Sequence, residues 1–236
     1  LFTGTRGVGK TTIARILAKS LNCETGITAS PCGVCAACRE IDAGRYVDYI
    51  EMDAASYRGV DDMVDLLERA TYAPSSGRYK VYMIDEVHQL TNHAFNAMLK
   101  TLEEPPEHIK FILATTDPQK LPVTIRSRCQ RYDFRRVRAQ EVVAALGRIC
   151  AAEGMQPTPE ALYLVAREGD GSMRDSLTVL DQVIAFAGAT LDESTVASLL
   201  GVADRNRIHQ LMRALLGKDA PAALKAVAAA HDHGMD

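Results

Sequence analysis

Apolar and polar positions alternate in blocks along the first part of the chain. Tyr46 to Met52, Tyr79 to Ile84 and Ile109 to Thr115 read as strands, and the last two are nearly continuous apolar runs, as expected of strands covered on both faces. Between them apolar residues recur at three-to-four spacing in Thr12 to Leu21, Val60 to Arg69 and His93 to Leu102, which predicts helices. Strand and helix in turn predict an α/β unit with a parallel sheet, running to about residue 137. From Ala139 the strand signal disappears. Glu141 to Ala152, Pro159 to Arg167, Arg174 to Phe186 and Glu193 to Leu200 are amphipathic stretches punctuated by Gly and Pro, so residues 138–201 read as a small helical domain. Two Ala- and Leu-rich helical stretches, Arg205 to Leu216 and Ala220 to Ala230, predict that residues 202–236 begin a third, helical domain that is cut off.

Composition narrows the class. The 236 residues are 47% hydrophobic and 24% charged with a net charge of -3, a balance that suits globular protein and gives no broad attraction for nucleic acid or an anionic membrane. Any nucleic-acid contact is therefore local. No apolar run approaches the ~20 residues of a membrane-spanning helix, and no basic-then-apolar leader is present, so the expected location is the cytoplasm, with no membrane partner. Leu1-Phe2-Thr3-Gly4 runs straight into a Gly-rich loop with no initiator Met, and the N-terminus reads as truncated.

Gly4-Thr5-Arg6-Gly7-Val8-Gly9-Lys10-Thr11 fits G-x-x-x-x-G-K-[ST] between a strand end and a helix. Its backbone amides and the helix N-terminus would cradle phosphates, Lys10 would reach the β and γ phosphates, and Thr11 could ligate magnesium. Val81 to Ile84 ends in Asp85-Glu86 at the carboxyl edge of the expected sheet, where ligands bind in open α/β folds. Asp85 is expected to hold magnesium, directly or through water, and Glu86 to orient or polarise the attacking water. Together these features predict a nucleotide-binding P-loop NTPase.

Six cysteines are unevenly placed. Cys23, Cys32, Cys35 and Cys38 give C-x8-C-x2-C-x2-C in a turn-rich insertion, 23–38, which suits a closed, structural tetrahedral zinc site. A ferredoxin-type cluster would need a further cysteine at position 42, which is Asp42. Downstream, Ser127-Arg128-Cys129 follows the fourth strand among several arginines, and Arg128 is a candidate finger for a neighbouring subunit's nucleotide. Arg174 lies in the first turn of a helix after Ser172, where a cation opposes the helix dipole, which suggests an external anion. Thr115 and Thr116 end the fourth strand and could bond a phosphate or the attacking water.

Taken with Asp85-Glu86-Val87-His88, Leu99-Lys100-Thr101-Leu102-Glu103-Glu104-Pro105-Pro106 and Ala114-Thr115-Thr116-Asp117-Pro118, these motifs resemble one family. It is the tau/gamma clamp-loader ATPases of bacterial DNA polymerase III, which are AAA+ proteins, and the resemblance runs from Leu1 to about Gly201. It implies an AAA+ sheet with a zinc insertion, a helical lid and the start of a helical collar. It implies Thr116 as first sensor, Arg128 as the trans-acting finger and Arg174 as second sensor. It also implies ATP, Mg2+ and Zn2+ as cofactors. The partners implied are the other clamp-loader subunits of a hetero-pentamer, the sliding clamp and primed DNA. The family's segment before the first strand and most of its collar are missing here. Two other readings stay open at this point: Asp85-Glu86-Val87-His88 also fits a DExH helicase with two motor lobes, and a clamp-loader subunit can keep the fold without hydrolysing ATP.

Overall fold

In a computed structural model that describes residues 1–56, 59–187 and 191–231, the chain divides into two compact units, Leu1–Arg136 and Val137–Asp236. Residues 232–236 of the expected third segment lie outside the described residues.

The first unit runs β1 (Phe2–Thr3), α1 (Lys10–Asn22), α2 (Ala36–Asp42), β2 (Tyr49–Asp53), α3 (Val60–Ala70), β3 (Lys80–Asp85), α4 (Asn92–Glu103), β4 (Ile109–Thr115), α5 (Val123–Arg126) and β5 (Tyr132–Asp133). The strands form one parallel five-stranded sheet in the order β2-β3-β4-β1-β5. Strand β3 explains why the sheet is covered on both faces. Its side chains alternate, so Val81 and Met83 pack with Ala14, Ala18 and Ile41 of α1 and α2, while Tyr82 and Ile84 pack with Met63, Phe95 and Met98 of α3 and α4. Each fully buried apolar side chain contributes roughly 1.5–3 kcal/mol relative to exposure, and the core therefore fixes where the strand ends fall.

One strand expectation shifts, and one strand lies outside the expectations. The stretch from Tyr46 becomes strand only at Tyr49, because Tyr49 N bonds back to Tyr46 O in a turn and the buried Asp48 side chain accepts the amides of Ser75, Ser76 and Gly77. Strand β5 carries no apolar run of its own. It exists because Tyr132 N donates to Leu1 O and Phe134 N to Thr3 O, extending the sheet past β1.

The second unit is helical: α6 (Ala139–Ala152), α7 (Pro159–Glu168), α8 (Met173–Ala187), α9 (Glu193–Leu199), α10 (Val202–Leu216) and α11 (Ala220–His231). Val142, Leu146 and Cys150 recur every fourth residue on α6 and pack with Leu162 and Val165 of α7, Leu180 and Val183 of α8 and Val196 of α9. Thr158 and Asp192 cap α7 and α9 through their side-chain oxygens. Among the described residues this unit holds no strand, so it offers no second α/β motor lobe of the helicase kind.

Candidate nucleotide and metal sites

The sheet register aligns Asp53 with Asp85 and Thr3 with Thr115, so the candidate polar residues gather along one carboxyl edge. Residues 4–9 turn from β1 into α1 there. Gly4 lies so close to β5 that a Cβ would stand 2.5 Å from the Phe134 carbonyl oxygen, and no other residue fits. Gly9 precedes α1 in a left-handed conformation, and no side chain caps the helix, leaving its first turn facing the loop. Lys10 is buried, its Nζ donating to the carbonyls of Gly4 and Thr5 at 2.9 Å each, which folds the ammonium into the loop's concave side. Thr5 and Arg6 are exposed and Gly7 and Val8 half-buried.

Across the edge, Thr11 Oγ1 stands 3.2 Å from Asp85 Oδ2. A hydroxyl and a carboxylate oxygen meeting beside a phosphate-type loop are the hard oxygen donors that magnesium takes, so these residues fit that ion. Asp85 Oδ1 accepts the Glu86 amide at 2.9 Å, and Glu86 sits at φ 45°. A left-handed non-glycine conformation costs of order 1–3 kcal/mol and persists only where surroundings impose it. What it achieves is visible: Glu86 Oε2 accepts from Thr116 N at 3.2 Å and Thr116 Oγ1 at 2.9 Å, and lies 3.3 Å from His88 Nδ1. His88 Nδ1 is also 2.8 Å from Thr115 Oγ1. Of the two threonines, Thr116 touches the acid directly, and the buried Thr115 touches His88 instead.

The structure thus brings Lys10, Thr11, Asp85, Glu86 and Thr116 to one edge. Arg128 follows α5, and its guanidinium pairs with Glu103 and donates to Thr124 O at 2.8 Å. Arg174 is exposed in the first turn of α8, which Ser172 caps by accepting the Asp175 amide. His88 and Glu103 received no role from the sequence. A histidine two residues past a strand-ending acid pair is the signal for the first, whereas Glu103 has none, because its partner lies far along the chain.

Beyond the C-terminus of α1 the four clustered cysteines converge, all their sulfurs lying within 4.8 Å of one another. Four thiolates at ~2.3 Å from a tetrahedral ion stand ~3.8 Å apart, so the set fits such an ion. Backbone amides point at sulfur: Cys32 N to Cys23, Cys35 N to Cys32 and Cys38 N to Cys35, each at 3.4 Å. The Cys32 amide, helped by Thr25, draws the Cys23 thiol down to about 6, and the Glu24 backbone lowers Cys35, while burial pushes Cys38 up to about 12.

Comparison with known proteins covers the whole chain. Residues 1–138 match the family model described as "DNA polymerase III, delta subunit", 141–189 the "DNA polymerase III clamp loader subunit, ATPase lid domain", and 191–236 "DNA polymerase III subunits gamma and tau domain III". DNA polymerase III subunit tau of Escherichia coli is 55% identical over 92% of this chain, which spans 34% of that protein. The Bacillus subtilis tau subunit is 47% identical over 100% of this chain, covering 42% of its own length, and a Buchnera aphidicola gamma subunit is 46% identical over 93%, covering 59%. A solved structure of the Thermotoga maritima RuvB Holliday junction branch migration motor superposes over the full chain and 74% of its own, with a TM-score of 0.60 at 17% identity, a likeness of fold alone.

Proposed function

The chain belongs to the tau/gamma family of DNA polymerase III clamp-loader subunits, and from that premise we propose that it binds and hydrolyses ATP to drive loading of a sliding clamp onto primed DNA. Residues 1–137 are the nucleotide-binding domain, 138–201 the lid and 202–236 the start of a collar. The carrying observation is the meeting of Thr11 Oγ1 and Asp85 Oδ2 beside Lys10 and the 4–9 loop. Loop amides and the uncapped start of α1 bind the phosphates, and Lys10 adds charge at the β and γ positions. Thr11 and Asp85 hold magnesium, which when bound neutralises charge developing on the phosphate oxygens. Glu86 takes a proton from the attacking water, and Thr116 fixes its carboxylate and senses the γ phosphate. Arg128 completes a neighbouring subunit's site, for which it must leave Glu103, and Arg174 reports nucleotide to the lid. The four cysteines hold a structural zinc ion.

Partners are the other subunits of a hetero-pentamer, the clamp and primed DNA. The protein works in the cytoplasm, in keeping with a chain in which no described helix is long and apolar enough to cross a membrane.

Lys10→Ala in the full-length protein tests the reading. Calorimetry should show nucleotide affinity falling at least ~100-fold, the loss of about 2.7 kcal/mol or more of charge-assisted contact, and clamp- and DNA-stimulated turnover should vanish. Undiminished affinity would refute the phosphate-loop assignment. Stimulation by single strands with strand separation, in place of clamp and primed DNA, would refute the loader.

A further inference from the structure

The loop between α3 and β3 is held at three points that none of the nucleotide chemistry uses. Asp48, fully buried, accepts the amides of Ser75, Ser76 and Gly77 at 2.7 to 2.8 Å. Asn22, the buried last residue of α1, pairs both ways with the Tyr79 backbone: its Nδ2 donates to Tyr79 O at 3.0 Å and its Oδ1 accepts Tyr79 N at 2.9 Å. A Cβ at Gly77 would stand 2.7 Å from both Asn22 Oδ1 and the Tyr46 hydroxyl, so the loop is pressed against the end of α1. Between these anchors, Arg78 sends its guanidinium to the first turn of the cysteine insertion. Nη1 donates to the Cys23 carbonyl at 2.6 Å and Nη2 to the Glu24 carbonyl at 3.4 Å.

We infer that Arg78 is a positioning residue of the four-cysteine metal site, holding the turn that presents Cys23. The inference rests on the zinc reading above. Cys23 is the residue at which α1 ends, and its carbonyl also accepts the Gly26 amide at 2.9 Å. A planar cation forked over two consecutive carbonyls at a helix C-terminus fixes that peptide and complements the negative end of the helix. The other three ligands travel on a separate segment, 32–38, whose Ala36 amide returns to Glu24 Oε1 at 3.2 Å. Cys23 and Glu24 are therefore where both halves of the site are gripped, and Arg78 is the grip from the sheet. Its role is to keep Cys23 within reach of the other ligands before metal arrives and to slow its departure afterwards. Outer-sphere partners of this kind are typically worth 10–100-fold in metal affinity.

The test uses full-length protein carrying Arg78→Ala and Arg78→Lys. Zinc per chain is counted by mass spectrometry, and zinc affinity is read by competition with a chromogenic chelator. Thermal unfolding is followed in saturating zinc. Wild type should hold one zinc per four-cysteine site, and Arg78→Ala should weaken affinity 10–100-fold, with its zinc-saturated unfolding close to wild type. Arg78→Lys should fall between, since an ammonium reaches one carbonyl and not two. An affinity for Arg78→Ala within twofold of wild type overturns the inference while leaving the zinc site standing. If Arg78→Ala fails to fold, wild-type affinity in Arg78→Lys overturns it instead. Wild-type protein without zinc would bring down the metal reading and the inference together.

Discussion

Helix α1 starts at Lys10 under the 4–9 loop and stops at Cys23 against a cluster of sulfurs, and its two ends are ordered by different means. At the first end the scaffold precedes the chemistry: Ala14 and Ala18 are fully buried against Phe2, Met83 and Ala114, and Lys10, Thr11, Asp85 and Glu86 are placed on a sheet edge that the apolar core has already fixed. At the second end the core is thin. Only Ala37, Cys38 and Ile41 of α2 are buried, while Ile27 and Val34 remain 63% and 65% exposed. An insertion that buries so little apolar surface cannot offset its chain entropy unaided, and under the proposed zinc reading metal ligation by its sulfurs supplies the rest. Substitutions at the first end should therefore change chemistry and spare the fold, and those at the second should do the reverse.

The largest effect expected under that contrast comes from Glu86→Gln. The amide oxygen can still accept from Thr116, so unfolding temperature and nucleotide affinity should stay near wild type, whereas turnover should fall 10²–10⁴-fold with the loss of a general base. Steady-state hydrolysis in the assembled complex beside calorimetric titration separates the two. A variant that loses stability and turnover together would erase the distinction between the ends.

Cys38→Ser probes the other end. Cys38 is fully buried, and its loss removes one of the four converging sulfurs. Zinc content should fall to near zero and the unfolding temperature by roughly 5–10 °C, with limited proteolysis newly cutting between 24 and 34, while nucleotide affinity changes by less than ~3-fold. Unchanged stability in the metal-free protein would mean that the insertion is held by something other than its cysteines.

These contrasts were unequally legible in the chain. The loop 4–11 and the pair Asp85-Glu86 could be read directly, because contiguous residues dictate a local backbone and a strand end fixes its own position. The four cysteines were equally plain from spacing. What escaped the sequence were contacts between residues distant along it. His88 finds Thr115 across 27 positions and Arg78 finds Cys23 across 55; the place of His88 after Asp85-Glu86 marks the residue but not its partner, and nothing near Arg78 marks either. Strand β5 escaped for a related reason, since Tyr132–Asp133 is flanked by Arg131, Arg135 and Arg136 and becomes strand only through the neighbouring β1. Tyr46–Asp48 carries a strand-like apolar pattern yet forms a turn, because the buried Asp48 carboxylate takes three amides supplied by residues 75–77.

The smallest effect sharpens the comparison by setting α1 beside a helix whose start is purely structural. No side chain caps α1, whereas Asp192 caps α9 with Oδ1 accepting the Thr195 amide at 2.7 Å and the Ser194 hydroxyl at 2.8 Å. Those donors, the Thr195 amide foremost, hold the Asp192 carboxyl below its usual range. A depressed folded pKa contributes stability that is present above the unfolded value, ~3.9, and is lost as pH falls through the lowered folded value. Asparagine caps about as well as aspartate, so Asp192→Asn should unfold within ~2 °C of wild type at neutral pH but lack this acid-sensitive component. The gap between wild type and variant should therefore narrow, or change sign in the variant's favour, as thermal melts are taken from pH 6 down to pH 2.5. A gap independent of pH across that range would show that the carboxylate charge contributes nothing to the cap. The separation between a helix start satisfied by its own side chain and one left open for an external anion would then have to rest on α1 alone.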